Sequence, residues 1–363
     1  MTKYLCLIAM IFSSFSYAID VTFLNPATPT HVFWKRVSKI TQFAADDLDI
    51  KLTIEYGNDN RVDSLSKLIE ISQRKKKPDF VIFMPYTGNS FQSFQILEEA
   101  KINFLTLERS IPQTERERLD SPGSLFKYWR GEIYHDNVEA GAELAKVLIQ
   151  RGQQGSIEKQ LKLFGITGDY SGESYDRSKG LVNATANKKT VKLHQIIHAN
   201  WNAEQAVEKY DLLIKRYGNA QIVWCASDTM ALAITDHHAR ANPSSKPIIV
   251  GGFDWLPEAI IAIEKDQLAA SIGGHVFMGA WSLIKIHNEQ TTDAASKVKN
   301  DLPYKMSVIH KHNVNFYKPL FNDSLIQKFD FRLLSDQFAQ QKAKQNFNAE
   351  AIIENMSSSM KLK

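Results

Sequence analysis

Three apolar runs of this sequence are followed directly by residues with charged or hydroxyl side chains. Glu108 and Arg109 follow the first run, and Ser227 and Asp228 follow the second. Asp254 follows the third. Carboxylate and guanidinium groups can bind neighbouring hydroxyl groups through paired hydrogen bonds. Because ligands of parallel α/β sheets bind beyond the carboxyl ends of the strands, these residues are candidates for a binding site.

Aromatic residues stand at comparable positions. The segment His31-Val32-Phe33-Trp34 opens a predicted helix, and Trp201 follows a predicted strand. An aromatic face covers the apolar C–H face of a sugar ring. Together with the charged residues, these side chains predict a cleft for a small polyhydroxylated ligand. A structural interpretation stays open, in which Glu108, Arg109 and Asp254 cap helices or form interlobe ion pairs and the tryptophans belong to the core.

Catalytic and metal-binding patterns are missing from the sequence. Ser171 precedes a glycine, but no GxSxG, GxGxxG or GK[ST] motif occurs. His237 and His238 are adjacent on a predicted helix and cannot face one ion together, and His310-x-His312 is a fragment with two ligands. We therefore predict a protein that is not an enzyme and that has no cofactor and no metal site.

The 363 residues include 44 lysines and arginines against 40 aspartates and glutamates, a formal net charge of +4. This small surplus argues against a nucleic-acid-binding protein or a polybasic membrane binder. The longest basic run, Arg74–Pro78, is expected to cap the end of a helix. Two cysteines exclude a disulfide scaffold, and Cys225 lies in a predicted buried strand.

The first 18 residues have the pattern of a signal peptide. Lys3 precedes the apolar run Tyr4–Phe12, and Ser16 and Ala18 are the small residues that a signal peptidase recognises. The apolar run is too short to span a bilayer. We therefore predict cleavage after Ala18 and export, most simply to a Gram-negative periplasm.

Short apolar runs alternate with segments of helical periodicity along the rest of the chain. This alternation predicts parallel sheets with right-handed crossovers, in the α/β fold class. Two doubly wound lobes fit the length better than one sheet. The segment Ile111–Tyr128 is expected to be an ordered excursion. The predicted strands are Ile19–Leu24, Ile50–Glu55, Phe80–Met84, Ile102–Leu107, Leu161–Ile166, Val191–Ile197, Gln221–Ala226 and Pro247–Gly251.

Five segments resemble motifs of the type I periplasmic binding proteins of the ribose-binding class, and the resemblance covers nearly all of residues 19–314. Gly252–Glu258 is similar to the family's GFDGxPE-like turn, and Ser227–Ala233 to its NDxMALG motif. Leu107–Arg109 is similar to its LDR motif, His31–Trp34 to NPFF and Asp136–Val138 to DNV. The fold that this resemblance implies has two lobes joined by a hinge of several strands.

The strand series breaks near Asp136 and near Gly274, where the chain is expected to cross between the lobes. A third crossing is expected between Met306 and Val314. The expected boundaries are 1–18 for the signal peptide, 19–136 with 275–308 for the N-terminal lobe, 137–274 with 309–345 for the C-terminal lobe and its extension, and 346–363 for a frayed tail.

The resemblance also implies which residues line the cleft. Arg177 matches an arginine that the family has in a loop before a helix, and Trp201 matches an aromatic residue over the ligand. Arg109 and Arg177 would come from opposite lobes and clamp the ligand. The implied ligand-binding residues are Phe33, Trp34, Glu108, Arg109, Arg177, Trp201, Asp228 and Asp254, together with His31, Tyr86, Asp136, Ser227 and His275.

Three positions depart from the family pattern. Met84, Ser227 and Gly274 stand where ribose binders have an asparagine, an asparagine and a glutamine. Without these amides, groups of a bound ribose would stay unpaired, at about 1–3 kcal/mol each, so plain ribose is not the expected ligand. Glu108, Asp228 and Asp254 would face Arg109 and Arg177, a formal charge of about −1, which favours a neutral or weakly polar hydroxylated molecule.

The expected function is that of a periplasmic solute-binding protein, monomeric and without nucleic-acid partners, that presents a sugar or sugar-like ligand to an inner-membrane ABC permease. The alternative is a sensor subunit that signals to a membrane histidine kinase or cyclase. The chain also resembles the autoinducer-2 receptor subgroup, in Asp79–Met84, in Ile222–Ala233 and in its long C-terminal extension. That subgroup acts through a sensor kinase.

Overall fold

The computed structural model describes residues 18–155, 159–170, 172–241, 247–291, 301–335 and 348–361. Apart from Ala18, the predicted signal peptide lies outside these residues, and its cleavage stays a prediction. Among the described residues, no helix is both long and apolar enough to cross a membrane.

The first lobe is built on a six-stranded sheet in which every strand pair is parallel. The strands are β1 (Asp20–Asn25), β2 (Lys51–Tyr56), β3 (Phe80–Phe83), β4 (Asn103–Glu108), β5 (Trp129–His135) and β11 (Asp301–Tyr304), in the order β11-β5-β4-β3-β1-β2. The helices are α1 (Val32–Asp47), α2 (Arg61–Ser72), α3 (Ser90–Glu99), α4 (Gln113–Leu119) and α10 (Met278–Thr291). Strands β1 and β3 are buried along their whole length because both faces of the sheet are covered, and β3 is entirely apolar.

The second lobe repeats this plan. Its strands are β6 (Leu161–Thr167), β7 (Val191–His198), β8 (Ile222–Cys225), β9 (Ile249–Phe253), β10 (Ala270–Gly273) and β12 (Ser307–His310), in the order β12-β10-β9-β8-β6-β7. Strand β12 is antiparallel to β10, and the other pairs are parallel. The helices are α5 (Asn137–Gly155), α6 (Gly172–Thr185), α7 (Ala203–Tyr217), α8 (Asp228–Ala241) and α9 (Pro257–Glu264).

The structure contains all eight predicted strands and four further strands, β5, β10, β11 and β12. The predicted excursion holds helix α4. The chain crosses between the lobes at Asp136, at Gly274 and at Lys305–Met306. The third crossing lies at the start of the predicted range, and the expected lobe boundary after residue 308 is two residues too late, since Val308 pairs with Ile272 in the second sheet. Ser307 and Val308 therefore belong to the second lobe.

A C-terminal extension follows β12 and contacts both lobes. It contains α11 (Val314–Tyr317), a 3-10 turn (Lys318–Phe321), α12 (Asp323–Gln327) and α13 (Ala349–Lys361). The guanidinium group of Arg36 in α1 donates to the carbonyl of Trp255 in the second lobe, at 2.8 Å, and to that of Leu320 in the extension, at 2.7 Å.

The tail that was expected to fray is helical instead. In α13, Ala349, Ile352, Ile353 and Met356 are buried. These apolar residues recur at three- and four-residue steps, so the helix has a continuous apolar face that packs on the protein. Glu350 of the same helix accepts hydrogen bonds from Ser307, at 2.5 Å, and from Tyr317, at 2.5 Å.

Candidate ligand-binding cleft

A cavity of about 440 Å³ lies between the two lobes and is lined by residues of both. Small-molecule sites have volumes of roughly 300–1,000 Å³. The lining residues are Pro26, His31, Phe33, Trp34, Asp59, Met84, Tyr86, Glu108, Arg109, Asp169, Glu173, Arg177, Asn200, Trp201, Asn202, Ser227, Thr229, Asp254 and His275.

The first turn of α1 supplies the aromatic wall of the first lobe. His31 caps the helix, and its ring accepts a hydrogen bond from the backbone N–H of Trp34 at 3.4 Å. Val37 and Ile40 continue the buried face, so the helix is held against the sheet. Phe33 and Trp34 meet edge to face, with ring centroids 5.4 Å apart. Successive helical residues point about 100° apart, which explains why the rings are not coplanar.

Helix α6 supplies the main cationic group of the second lobe. Arg177 donates from Nε to the side chain of Asn137 and from Nη1 to the carbonyl of Ala226, each at 2.9 Å. The resemblance implied that Arg177 lies in a loop before a helix, but in the structure it lies inside α6. A Cβ on Gly141 of α5 would overlap the backbone of Arg177, so the glycine permits the close helix crossing that positions this side chain.

Trp201 lies in the turn after β7. Its ring rests on Gly168, and a Cβ there would overlap the indole. The guanidinium carbon of Arg177 is 5.7 Å from the Trp201 ring centroid and 4.4 Å from that of Phe253. Such distances are typical of cation–π contacts. The indole is therefore positioned between a backbone surface and a fixed cation.

Five charged or titratable side chains form a cluster at the cleft, of which four line its wall and the fifth, His135, is buried behind it. Glu108 Oε1 lies 3.7 Å from His135 Nε2 and 3.8 Å from Arg177 Nη2. Asp254 Oδ1 lies 3.7 Å from Arg177 Nη1 and 3.4 Å from His275 Nε2. One guanidinium group is thus shared between two carboxylates. Burial raises the pKa of Glu108 and lowers the pKa of His135, because both charged forms lose hydration.

Arg109 and Glu173 form an ion pair across the cleft. Arg109 follows β4 in the first lobe, and Glu173 lies in the first turn of α6 in the second. The Arg109 guanidinium also lies over the ring of Tyr86, at 5.3 Å from its centroid. Arg109 therefore forms an interlobe ion pair, which is the structural role that the sequence left open for it.

Several cleft residues have backbone conformations that side chains other than glycine adopt at a cost. The φ angles are 56° at Asp59, 74° at Glu108, 48° at Asn200, 60° at Trp201 and 100° at Asp254. Such conformations cost of the order of 1–3 kcal/mol each and concentrate at functional sites. Their clustering around one cavity supports its assignment as the binding site.

A family model described as a periplasmic binding protein domain matches residues 21–290, about three quarters of the chain. The chain belongs to the periplasmic binding protein family. This membership and the two-lobed fold confirm the resemblance to the sugar-binding class of type I periplasmic binding proteins. They also confirm the prediction of a binding protein rather than an enzyme, since the family consists of substrate-binding transport proteins.

Individual relatives of this periplasmic binding protein agree with the assignment. A ribose import binding protein from Haemophilus influenzae is 22% identical over 268 residues, which are 73% of this chain and 84% of that protein. A D-allose-binding periplasmic protein from Escherichia coli is 30% identical over 138 residues, 38% of this chain and 43% of that protein. The crystal structure of a periplasmic sugar-binding protein from Pseudomonas fluorescens is 26% identical, with a TM-score of 0.77 and coverage of 88% of this chain and 94% of that one.

The periplasmic binding protein brings eleven of the thirteen implied site residues to the cleft wall, and Asp228 and Asp136 lie elsewhere. Asp228 is fully buried behind the wall, where Oδ2 accepts hydrogen bonds from Leu256 N, at 2.9 Å, and Ser271 Oγ, at 2.8 Å. It therefore holds the turn that carries Asp254. Asp136 is exposed at the hinge and accepts a hydrogen bond from the backbone of Glu139 at 2.8 Å.

Several lining residues were not predicted from the sequence, above all Asp59, Asp169 and Glu173. Glu173 precedes Arg177 by four residues, one helical turn, and this spacing could have indicated that both line one face. Asp59 and Asp169 lie in turns, where no periodicity points to the cleft. Among the described residues, no group of three or more His, Cys, Asp or Glu side chains could hold a metal ion.

Proposed function

We propose that this periplasmic binding protein captures a sugar or sugar-like molecule in the interlobe cleft and presents it to an inner-membrane ABC permease. The observation that carries the proposal is the combination of aromatic faces and charged hydrogen-bonding groups from both lobes around one cavity. Phe33 and Trp34 come from the first lobe and Trp201 from the second. Aromatic faces suit the C–H faces of a sugar, and charged groups suit its hydroxyls.

Unpaired polar atoms in the cleft support a hydroxylated ligand. Glu108 Oε2, Glu173 Oε2 and His275 Nδ1 are buried and form no hydrogen bond with the described residues. Each such atom carries a desolvation cost of about 1–3 kcal/mol. Hydroxyl groups of a ligand would offset that cost, since each can donate and accept.

Ligand contact with both lobes would favour the closed arrangement of the hinge. Glu108 of the first lobe and Arg177 of the second lie 3.8 Å apart, so a small molecule can contact both at once. The permease would recognise the surface that closure forms. Cleavage after Ala18 and a monomeric state belong to the same proposal.

The C-terminal extension favours a second candidate, a sensor subunit for a membrane histidine kinase or cyclase. It lies outside the matched residues 21–290, contacts the first lobe through Arg36, and contacts the second through Tyr317, whose ring centroid is 5.0 Å from that of Trp255. Its surface would therefore change with hinge closure. Loss of ligand uptake in cells that lack the gene would support the transport role, and unchanged uptake with a lost transcriptional response would support the sensor.

The direct test is ligand stabilisation. Purified protein is screened by thermal shift and calorimetry against neutral monosaccharides and polyols, and a ligand at about 100 times its Kd should add about 2.7 kcal/mol to the free energy of unfolding. Trp201→Ala should weaken binding by about tenfold. Tyr175→Ala is the matched control, since Tyr175 is 68% exposed and lies outside the cavity wall. Absence of any stabilising compound, or equal effects of the two variants, would contradict the proposal.

A further inference from the structure

The cleft is more acidic than its sequence motifs indicated. Five carboxylates line it against two guanidinium groups, a formal charge of −3 with His31 and His275 neutral. The whole protein has a net charge of +4, so the negative potential is a local property of the cleft. The carboxylates are those of Asp59, Glu108, Asp169, Glu173 and Asp254.

Both guanidinium groups of the cleft donate hydrogen bonds to the protein itself. Arg177 donates to Asn137 and to a backbone carbonyl, and Arg109 donates to Glu173. Two carboxylate oxygens of the cleft lack such a partner. Glu108 Oε2 and Glu173 Oε2 are buried and accept no hydrogen bond from the described residues. A ligand therefore meets a wall with unpaired carboxylate oxygens and a surplus of formal negative charge.

The carboxylates also exceed the cations that face them. Arg177 lies 3.8 Å from Glu108 and 3.7 Å from Asp254, so one positive charge is shared by two negative ones. Arg109 is paired with Glu173. With the His275 imidazole, 3.4 Å from Asp254, counted as neutral, one formal negative charge in the cluster has no cationic partner, and burying such a charge is costly. A hydroxyl can donate a hydrogen bond there but cannot supply the charge.

We propose that the ligand of this cleft is a hydroxylated molecule with a protonated amine, an amino sugar or an aminopolyol. The inference rests on the proposed function and names its substrate class. An ammonium group carries three donors and the missing positive charge, and its hydrogen bonds to carboxylates are charge-assisted. Glu108 is the residue that binds it, and the carboxylates of the exposed Asp59 and the half-buried Asp169 in the same wall attract it from solution. Sugar acids and sugar phosphates are excluded by the same charge.

The test uses ligands that share a skeleton and differ in charge. Calorimetry compares D-glucosamine, D-glucose, N-acetyl-D-glucosamine and D-glucuronate, and then the corresponding galactose series. The amine is expected to bind at least about tenfold more tightly than its neutral counterparts, and the uronates not at all. A neutral sugar that binds as tightly as its amine overturns the inference and leaves the proposed function intact. If no compound of either series binds at millimolar concentration, both fail.

Variants locate the effect. Glu108→Gln should reduce the ratio of amine to neutral affinity by about tenfold, and Asp169→Asn should reduce it less and in a salt-dependent way. Glu204→Gln is the matched control, because Glu204 is an exposed carboxylate of α7 outside the cavity wall. An amine preference that survives Glu108→Gln, or that falls equally in Glu204→Gln, shows that the cleft carboxylates do not set specificity. Thermal unfolding of each variant without ligand verifies that it is folded.

Discussion

The ion pair between Arg109 and Glu173 is the contact by which the cleft most directly joins the two lobes. Its side chains are 16% and 8% exposed, so water screens it only in part. Arg109→Met removes the charge and keeps most of the apolar stem over Tyr86. Glu173→Gln removes the opposite charge and preserves the shape. Both changes should weaken ligand binding, since they destabilise the closed arrangement that the ligand needs.

The size of the effect follows from the burial of the pair. An exposed ion pair contributes about 0–1 kcal/mol, whereas a hydrogen bond to a charged group contributes about 1.5–3 kcal/mol. Arg109→Met also leaves Glu173 buried with both carboxylate oxygens unpaired, so we expect a loss of about 3 kcal/mol, which is about 100-fold in Kd. Glu173→Gln should cost about tenfold. The double variant should lose less than the sum, with a coupling of about 1–2 kcal/mol.

Calorimetry with the tightest ligand of the screen measures the four Kd values of this cycle, and small-angle scattering measures closure. Arg116→Met is the matched control, because Arg116 pairs with the buried Glu132 within the first lobe and outside the cleft. It should lower the free energy of unfolding and leave Kd unchanged. If Arg109→Met changes Kd no more than Arg116→Met does, or if the coupling is below about 0.5 kcal/mol, the pair does not link the lobes in binding.

Three further predictions concern positioning, pH and the extension. Gly168→Ala should displace the Trp201 indole and weaken binding by about three- to tenfold, with a changed tryptophan emission spectrum and little change in unfolding free energy; an unchanged spectrum and Kd would contradict it. Because burial lowers the pKa of His135 below its ordinary 6.5, the unfolded state takes up the proton first, and the contribution of this residue to stability is lost as the pH falls below about 6.5. His135→Gln should remove that loss when the pH dependence of thermal unfolding is compared with that of the wild type. The comparison is needed because the raised pKa values of buried carboxyls act in the opposite direction. Parallel pH dependences of the two proteins would contradict the assignment. In Arg36→Lys the single ammonium group cannot reach both carbonyls, so the unfolding free energy measured by denaturant titration should fall by about 1.5–3 kcal/mol. The control Lys39→Ala removes a half-exposed ion pair with Asp323 and should cost only about 0–1 kcal/mol. Equal losses would show that Arg36 does not anchor the extension.

Local sequence patterns were enough to predict the positions of most cleft residues. Glu108 and Asp254 directly follow apolar runs, and an apolar run bounded by polar residues fixes where a buried strand ends. Since parallel strands end at one edge of the sheet, these residues had to lie near the ligand. The position of the first turn of α1 could be predicted in the same way, from the periodicity of the helix's apolar face and from its cap at His31.

The same patterns could not show the direction in which a side chain points. Asp228 begins a helix at the correct edge, yet its carboxylate points into the protein and supports a turn. The helical tail could not be predicted for the same reason, because the apolar face of Ala349–Lys361 is stabilised only by the surface on which it packs. In both cases the deciding partner lies far away in the sequence.

The sequence by itself determined the alternation of strands and helices, the two lobes and the strand ends that carry Glu108, Arg109 and Asp254. These properties depend on residues within about ten positions of one another, and hydrophobic periodicity encodes them directly. Only the tertiary structure decided the charge of the cleft and the contacts across it. Arg109 and Glu173 are separated by 64 positions and meet because two independently packed lobes approach each other. Asp59 and Asp169 join the wall from turns, so their place depends on where the sheets bring those turns, which no local pattern specifies.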